Sequence, residues 1–590
     1  MHKMSKTMWV LQDRGSRGLC LERVYRLLYD PELHLASYGK IYRNDGAMTP
    51  GITKETADGM SLEKIHDIVA ALRRERFKWT PVKRVYIPKK NAKLRPLGLP
   101  TWSDKLVQES LRTILEAYYE PQFSDCSFGF RPNCGCQTAL AKIARTWTGT
   151  TWFIEGDIAG CFDNIDHQEL LSILREKIRD GRFIELVSQL LRAGYLEDWS
   201  FHSTLSGAPQ GGIVSPILSN IYLDRLDKFV EQTLLPEFNQ GKVRRTNQAY
   251  HNLQKMAARR KRDGDIQGYR ECMRRKGVLP SKDLNDPNYR RLRYVRYADD
   301  FLLGLTGPKC EAEEIKLRLQ QFLRDELKLT LSSEKTLITH ARTEKARFLG
   351  YEICVSHNND HKVNGVRKSN GNVCLLVPAD VIAKKLAKFT EAGRVIPRSD
   401  LINERPLDIV ARYQAEWRGL VQYYQLAWNM NVRLGKLFYF MNVSLAKTLA
   451  VKFSMTTKAI FDTFKAEVET PLGPRKVLLL TERHHGEDRA AYFGGINLAR
   501  SSFGNDCDPP AHVPVSPPTE LVARLLANRC ELCGLEGPCV VHQVRRLADL
   551  RRSWRAKPPK WVRVMLGRHR KTLMLCRRCY QDIKHTPRVT

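Results

Sequence analysis

Two adjacent aspartates, Asp299 and Asp300, interrupt an apolar segment with the sequence YVRYADDFLLG. Neighbouring carboxylates repel each other, and apolar flanks exclude the water that would screen this repulsion. Mg²⁺ relieves the cost, because it prefers oxygen ligands and is usually held by one or two carboxylates together with substrate phosphates. A third carboxylate, Asp157, follows the apolar run of WFIEGD in the same way. The sequence therefore predicts a site for two Mg²⁺ ions that serves nucleotidyl transfer to a 3′-hydroxyl group.

The segments on either side predict how these carboxylates are positioned. YVRY and FLLGL are rich in strand-forming residues, so we expect a β-hairpin with YADD at its tip. The apolar segment that ends at Asp157 predicts a neighbouring buried strand. Asp163 and Asp166 follow in the next turn, where a turn or capping role is the better interpretation for each of them.

The remaining sequence mixes helix and strand. The segment PVKRVYIPK (81–89) alternates like a strand, and DKLVQESLRTILEAYYEP (104–121) predicts a helix. A charged helical segment at about 234–290 separates the aspartate pair from the preceding loop and helix, as an insertion would. Beyond residue 375 the pattern becomes helical, and GNDCDPPAHVPVSPP (504–518) is typical of a linker.

The composition indicates a polyanionic partner. The chain has 590 residues, enough for three or four domains, and 97 Lys and Arg against 64 Asp and Glu give a formal charge of +33. Nucleic acid fits this excess, and a basic surface without a partner is the alternative. No run of about 18 apolar residues occurs, and the amino-terminal residues lack the apolar core of a secretory signal. We therefore expect a soluble intracellular protein that makes no membrane contact, and the lack of a persuasive transit peptide favours the bacterial cytoplasm over an organelle.

Four of the fifteen cysteines have the spacing of metal ligands. Cys530 and Cys533 form one CxxC pair, and Cys576 and Cys579 form another. Two such pairs suit the tetrahedral coordination of a structural Zn²⁺, which would stabilise a module with a small core. Reduced thiols without a metal are the alternative, as we expect for the isolated cysteines elsewhere.

Several sequence blocks, together with YADD, resemble bacterial and organellar group II intron reverse transcriptases, also called intron-encoded maturases. The blocks are FSDCSFGFRPNCG (123–135), FIEGDIAGCFDNID (153–166), SGAPQGGIVSPILSNIYLDRLD (206–227) and FLGYEI (348–353). The resemblance implies an α+β multidomain protein with a right-hand polymerase fold, which consists of fingers, a palm with an antiparallel sheet, and a helical thumb. It also implies RNA-directed DNA synthesis from deoxynucleoside triphosphates.

The resemblance assigns roles to residues near the carboxylates. Asp157, Asp299 and Asp300 occupy the metal-binding positions, and the Ile158 carbonyl is a further candidate ligand. Phe162 matches the aromatic steric gate that excludes a ribose 2′-hydroxyl, although a core phenylalanine would give the same pattern.

Four more residues match positions around the incoming nucleotide. Gln210 in APQGG matches the residue that lines the nucleotide, and its flanking glycines permit close backbone approach. Lys93 and Arg95 match cations of the fingers that grip the triphosphate, with solvated surface charge as the alternative. Lys335 in SSEKT matches the lysine that protonates the departing pyrophosphate.

The carboxy-terminal segment resembles the HNH endonuclease domain of the same family, a small ββα module, but departs from it at important positions. The chain has His542-Gln543 where the family has two histidines, and glutamine cannot replace the second as general base. Tyr580 and Lys584 stand where the family has metal-binding histidines, and His585 is displaced by one residue. Because a lysine cation opposes a bound metal ion, we expect zinc binding and DNA contact with weak or absent DNA cleavage.

The resemblance also predicts the domain order. We expect reverse transcriptase fingers and palm in 1–375, a thumb or maturase domain of three or four helices in 376–480, a DNA-binding region and linker in 481–527, and the HNH-like zinc domain in 528–590. The predicted protein binds its intron RNA, assists splicing and reverse splicing into target DNA, and copies the intron into complementary DNA during retrohoming. Alternatives are a stand-alone retron-like reverse transcriptase and an RNA-binding splicing cofactor with a vestigial polymerase.

Overall fold

A computed structural model describes residues 2–88, 94–197, 200–202, 211–283, 286–357, 370–470, 473–484, 487–501, 519–554 and 558–585. Two predicted nucleotide-binding residues, Lys93 and Gln210, lie outside the described residues. In the part of the chain that is described, no helix combines the length and apolar character needed to cross a membrane.

The first part of the chain is mostly helical and carries one β-hairpin. Its elements are α1 (His2–Ser16), α2 (Pro31–Ile41), β1 (Met60–Ser61), α3 (Leu62–Arg73), β2 (Val82–Pro88), β3 (Leu94–Leu99), α4 (Trp102–Tyr119) and α5 (Cys136–Thr146). β2 and β3 pair antiparallel, which confirms the strand predicted at 81–89. α4 confirms the predicted helix, and it begins where the Thr101 hydroxyl accepts a hydrogen bond from the Asp104 amide at 3.3 Å.

The centre of the chain forms a four-stranded antiparallel sheet with the order β7-β8-β4-β9, hereafter the palm sheet. The elements of this region are β4 (Trp152–Asp157), α6 (Cys161–Asn164), α7 (His167–Lys177), α8 (Gly181–Arg192), β5 (Tyr195–Glu197), β6 (Ser200–His202), α9 (Ser215–Phe229), α10 (Leu235–Phe238), α11 (Gln248–Arg262), α12 (Ile266–Lys276), β7 (Arg291–Tyr297), β8 (Asp300–Thr306), α13 (Lys309–Asp325) and β9 (Ile338–His340). β8 is central and its residues 301–306 are buried, which explains the uninterrupted apolar run after YADD.

The charged segment at 234–290 contains a helical hairpin made by α11 and α12, hereafter the helical insertion. Asn247 caps α11 and Asp265 caps α12, each through its side-chain oxygen. Ala257 and Cys272 are among the few residues that this hairpin buries. The predicted helices are confirmed, and most of their surface is exposed to solvent.

The region after the palm sheet combines four helices with short sheets. Its elements are β10 (Ala346–Phe348), β11 (Tyr351–Val355), β12 (Val373–Leu376), α14 (Ala379–Leu386), β13 (Thr390–Glu391), β14 (Arg394–Val395), α15 (Pro406–Tyr423), α16 (Met430–Phe453), α17 (Thr457–Phe464), β15 (Lys465–Thr470), β16 (Gly473–His484) and β17 (Glu487–Gly494). The predicted helices are present, but the sequence did not predict the antiparallel sheet β15-β16-β17. This sheet packs on α15, because the Gln414 side-chain amide donates to the Gly494 carbonyl at 3.0 Å and accepts from its N–H at 2.9 Å.

The carboxy-terminal part contains the predicted ββα arrangement, hereafter the C-terminal module. Its elements are α18 (Glu520–Leu526), β18 (Cys539–Gln543), α19 (Leu547–Ser553), α20 (Lys560–Gly567), β19 (Thr572–Cys576) and α21 (Arg577–His585). β1, from the amino-terminal region, adds a third strand to this module by pairing antiparallel with β18. Leu33 and Met60 share one apolar core with Val541 and Met574, so the module is part of the main body of the fold.

Candidate active site

The YADD segment forms the tip of the β7–β8 hairpin, as predicted. Tyr297 pairs with Asp300, so Ala298 and Asp299 make the turn. Ala298 has a φ of 56°, a left-handed conformation that costs a residue with a side chain about 1 kcal/mol. Gly129 packs against this turn, and a Cβ atom there would lie 2.2 Å from the Ala298 nitrogen. The SFGF segment (127–130) thus supports the turn that carries Asp299.

Asp157 lies beside the aspartate pair because β4 and β8 are neighbours. The antiparallel register places Asp157 directly opposite Asp300 and Gly156 opposite Phe301. The Phe301 ring covers Gly156, where a Cβ atom would lie 2.1 Å from the ring. A glycine before Asp157 therefore permits the close packing that holds the two strands in this register.

Burial and mutual repulsion raise the pKa values of the paired acids. Burial is the largest cause for Asp299, whose pKa also rises because Asp157 is near, against the lowering effects of Arg95 and Lys335. The pKa of Asp300 rises to about 7 through burial, repulsion by Asp299, and its hydrogen bond with Asp157. The three predicted catalytic acids thus form one electrostatic unit that has an excess of negative charge.

Lys335 reaches this unit from the loop before β9. Its Nζ donates to Asp157 Oδ2 at 2.8 Å, and this hydrogen bond raises the lysine pKa. The Lys335 side chain is 66% exposed, so it can exchange this carboxylate for another anion at little cost. Asp166 is the N-cap of α7 and accepts from the Glu169 amide at 2.8 Å, which confirms its capping role.

The other predicted residues surround the carboxylates. Arg95, on β3, contributes to the electrostatic field at Asp299. Ile158 is buried directly after Asp157. Phe162 is half-buried in α6, and its ring meets that of Phe130 edge-on at 6.2 Å, so it is not a core phenylalanine. The flank of Gln210 is described, and Gly211 lies against Gly98 of β3.

A fully buried ion pair beneath the turn escaped the sequence reasoning. Arg296 and Asp227 are both 0% exposed, with Nε donating to Oδ1 at 2.8 Å and Nη2 to Oδ2 at 2.6 Å. The remaining guanidinium hydrogens reach the Ala298 carbonyl at 2.8 Å, Ser127 Oγ at 2.8 Å and Asn220 Oδ1 at 3.2 Å. All five donors are therefore used. The available signal was an arginine directly before the YADD turn, in the strand that YVRY predicts, and an acid in the LDRLD segment of the preceding helix.

The four cysteines of the C-terminal module converge on one point. Their sulfur atoms all lie within 4.8 Å of one another, and those of Cys533 and Cys576 are 3.8 Å apart. Tetrahedral zinc with Zn–S bonds of about 2.3 Å separates its sulfurs by about 3.8 Å, so the donor set fits Zn²⁺. Within the described residues, no other group of three or more His, Cys, Asp or Glu side chains converges in this way.

The two histidines of the nuclease-like centre have different surroundings. His542, at the end of β18, is buried, and its Nδ1 lies 3.1 Å from Asp58 Oδ1. His585 is exposed at the end of α21. Lys584 also contacts Asp58, with its Nζ 2.6 Å from Oδ2. Sequence reasoning did not identify Asp58, because it belongs to the amino-terminal region.

Comparison with known proteins matches three parts of the chain to family profiles. Residues 87–353 match "Reverse transcriptase (RNA-dependent DNA polymerase)", residues 370–478 match "Type II intron maturase", and residues 530–580 match "AI2M/AI1M-like, HNH endonuclease". These matches define an RNA-directed DNA polymerase joined to a maturase domain and an HNH-like domain.

Individual relatives extend over nearly the whole chain. The group II intron-encoded protein LtrA of Lactococcus lactis subsp. cremoris is 39% identical over 591 residues, which cover 95% of this chain and 96% of LtrA. The putative COX1/OXI3 intron 2 protein of Saccharomyces cerevisiae is 31% identical over 95% of this chain and 65% of its own length. Telomerase from Candida albicans matches with a TM-score of 0.37 and 12% identity, over 66% of this chain and 57% of the telomerase chain. The chain belongs to the group II intron-encoded reverse transcriptase/maturase family.

Proposed function

We propose that the protein binds its own group II intron RNA, promotes splicing and reverse splicing into target DNA, and copies the inserted RNA into complementary DNA. The observation that carries this proposal is the register that places Asp157 opposite Asp300, with Asp299 at the adjoining turn. Three acids at this one edge of the palm sheet favour a working polymerase over a vestigial one. The match of residues 370–478 to the maturase profile favours an intron RNA over the retron-like alternative.

We assign two Mg²⁺ ions to Asp157, Asp299 and Asp300, with the Ile158 carbonyl as a further ligand. The acids fit such ions, since burial and repulsion raise the pKa values of Asp299 and Asp300 and a divalent cation offsets both effects. Bound Mg²⁺ would lower the pKa of the attacking 3′-hydroxyl and neutralise the triphosphate.

The cations and the aromatic ring near the acids supply the remaining functions of the site. Lys335 holds a proton beside the acids, which supports its assignment as the donor to pyrophosphate. Arg95, and Lys93 outside the described residues, are assigned to the triphosphate, and Gln210 to the incoming nucleotide. Phe162, with its half-buried ring, is assigned as the gate against a 2′-hydroxyl.

Two basic surfaces are candidates for contact with structured RNA. In the helical insertion, the side chains of Arg259 and Arg274 are 81% and 78% exposed. On α16, Arg433 and Lys436 are exposed. Folded RNA is recognised largely through its backbone and shape, which suits such scattered cations. Lys447, in the same basic stretch, instead donates to the Val395 carbonyl at 2.7 Å and so stabilises the thumb itself.

We assign the C-terminal module to contact with target DNA without efficient cleavage. Its four cysteines would hold a structural Zn²⁺, which secures the fold without taking part in a reaction. Lys584 occupies a metal-ligand position of the family with a cation, and Gln543 replaces the general base. DNA synthesis would then start from an existing DNA end, such as a nascent strand at a replication fork.

Paired assays test this function. Primer extension on poly(rA)/oligo(dT) is measured beside splicing of a precursor RNA that carries the cognate intron. Asp299→Asn should abolish extension, leave splicing intact, and keep the thermal unfolding profile, since it removes only the charge of an acid that repels its neighbours. Extension by this variant would contradict the proposed metal site. Splicing without extension in the wild type would favour the vestigial polymerase, and extension without splicing the retron-like alternative.

A further inference from the structure

The nuclease-like face of the C-terminal module is occupied by a carboxylate from the other end of the chain. Asp58 Oδ1 accepts from His542 Nδ1 at 3.1 Å and from the Gln543 amide at 3.0 Å. Asp58 Oδ2 accepts from Lys584 Nζ at 2.6 Å. The Asp58 and His542 side chains are only 10% and 9% exposed, so these contacts are largely removed from water.

The partners of Asp58 coincide with the positions where the family has its nuclease histidines. His542 and Gln543 replace the histidine pair, and Lys584 replaces a metal-binding histidine. Tyr580 replaces another such histidine and also lies beside Asp58. A set of neutral and cationic donors disfavours a metal ion and favours an anion. The substitutions that remove the metal site thus create a carboxylate site.

Backbone pairing extends this contact beyond one ion pair. Met60 pairs with Val541 and Ser61 with Val540, and the Gly59 N–H donates to the Val541 carbonyl at 2.8 Å. These bonds fix residues 58–61 along the free edge of β18.

Side-chain and apolar contacts surround the paired strands. The Gln543 side chain donates to the Tyr42 carbonyl at 2.8 Å, and Arg577 pairs with Glu63 at the rim. Met60 and Val541 are fully buried in the shared core. Lys584 is 51% exposed, so its ion pair alone contributes little, and the buried hydrogen bonds and apolar contacts dominate the free energy of this interface.

We propose that the nuclease-like face is an intramolecular docking site for residues 58–61, with Asp58 as its anionic ligand, so that the C-terminal module is fixed to the polymerase. A DNA phosphate would have to compete for the same donors with a carboxylate tethered in the same chain, which has the advantage of high effective concentration. The module therefore contacts DNA through other surfaces and braces the amino-terminal region. The C-terminal module thus has the ββα fold of a nuclease, while the residues at its nuclease-like face bind the amino-terminal region.

Hydrogen–deuterium exchange of the full-length protein tests this inference. Asp58→Asn keeps the shape of the side chain but removes its charge, and Lys584→Met removes the partner cation. Asp58→Asn should speed exchange of residues 58–61 and 540–543 by about tenfold, the effect of losing a single charge-assisted hydrogen bond, and Lys584→Met, which removes a half-exposed ion pair, should speed it less. Arg483→Met is the matched control, because it removes an exposed ion pair with Asp488 on the β16–β17 hairpin. Unchanged exchange in both Asp58 and Lys584 variants would overturn the proposal.

Two further measurements separate docking from simple damage to the module. Zinc content should stay equal to that of the wild type in both variants. Loss of zinc would mean that the residues support the module rather than join it to the polymerase. Saturating duplex DNA should leave the protection of residues 58–61 unchanged. A loss of protection would show that DNA phosphates take the place of Asp58. It would contradict the proposal that residues 58–61 stay docked on the nuclease-like face.

Discussion

Replacement of Arg296 by methionine should damage the polymerase site from beneath. Methionine keeps an apolar chain of similar length but removes five hydrogen-bond donors. Asp227 would then be a buried carboxylate whose remaining described partner is the Tyr294 hydroxyl, which donates to it at 2.8 Å. The Ala298 carbonyl and Ser127 hydroxyl would also lose their donor. The turn that carries Asp299 would lose the contact that holds its left-handed residue.

The expected magnitude follows from the burial of the pair. Both side chains are 0% exposed, and removal of one partner from such a pair costs about 3–5 kcal/mol. The effect on catalysis comes through geometry, since a displacement of about 1 Å at a reacting group lowers the rate about 100-fold. We therefore expect kcat for primer extension to fall about 100-fold in the fraction of protein that remains folded, while the nucleotide KM changes less because Arg95 and the fingers are untouched.

Urea unfolding and steady-state primer extension measure the two effects separately. Arg290→Met is the matched control, because Arg290 makes a largely buried ion pair with Glu311 at 2.8 Å before the other end of β7. The control should lose stability but retain kcat. The decisive assay is run without urea, at a temperature where the Arg296→Met variant is folded. If its kcat were within about twofold of the wild-type value, the claim that Arg296 positions the turn would be wrong, whatever the change in the free energy of unfolding.

Three other perturbations have defined outcomes. Lys335→Ala should lower kcat about 100-fold or more as expected for loss of a general acid, with a smaller change in primer–template affinity, and pre-steady-state nucleotide incorporation measures both. Cys533→Ser should reduce the zinc content and lower the midpoint temperature of the first unfolding transition, as measured by metal analysis and calorimetry. Cys310→Ser, which replaces an exposed cysteine outside the cluster, should change neither quantity. Replacing Arg259 and Arg274 by glutamine should reduce the slope of log affinity for intron RNA against log salt by about 1.4–1.8 if each contacts one phosphate, and an unchanged slope would remove the helical insertion from the RNA surface.

The sequence predicts the polymerase site well because its signals are local. The run before Asp157 and the apolar flanks of Asp299 fix two strands, and the antiparallel pairing of these strands brings the acids together. The CxxC spacing similarly fixes each half of the zinc site. Only the contact between the two cysteine pairs depends on the tertiary fold. In both cases the residues that do chemistry also carry the structural pattern.

The contacts that escaped prediction join distant segments through residues with no distinctive pattern. Arg296 meets Asp227 and Ser127 across three separate blocks, and no periodicity links them. Asp58 precedes His542 by 484 positions. The sheet made by β15, β16 and β17 was missed because its first strand, KAEVET, follows a helix whose basic residues suggested continued helical surface. Such features depend on tertiary packing, which local propensity does not encode.

The pairing of β1 with β18 also has a consequence for synthesis of the protein. Residues 58–61 emerge from the ribosome long before residues 539–543, by roughly 25–100 s at about 5–20 residues per second. During this interval the apolar surface around Met60 and Leu33, which Val541 and Met574 later cover, remains exposed to solvent. Only a chain translated through β19 can close this core. Truncated products would retain the polymerase acids but expose this apolar surface, which chaperones and proteases recognise. Folding of the C-terminal module therefore protects the amino-terminal region from degradation.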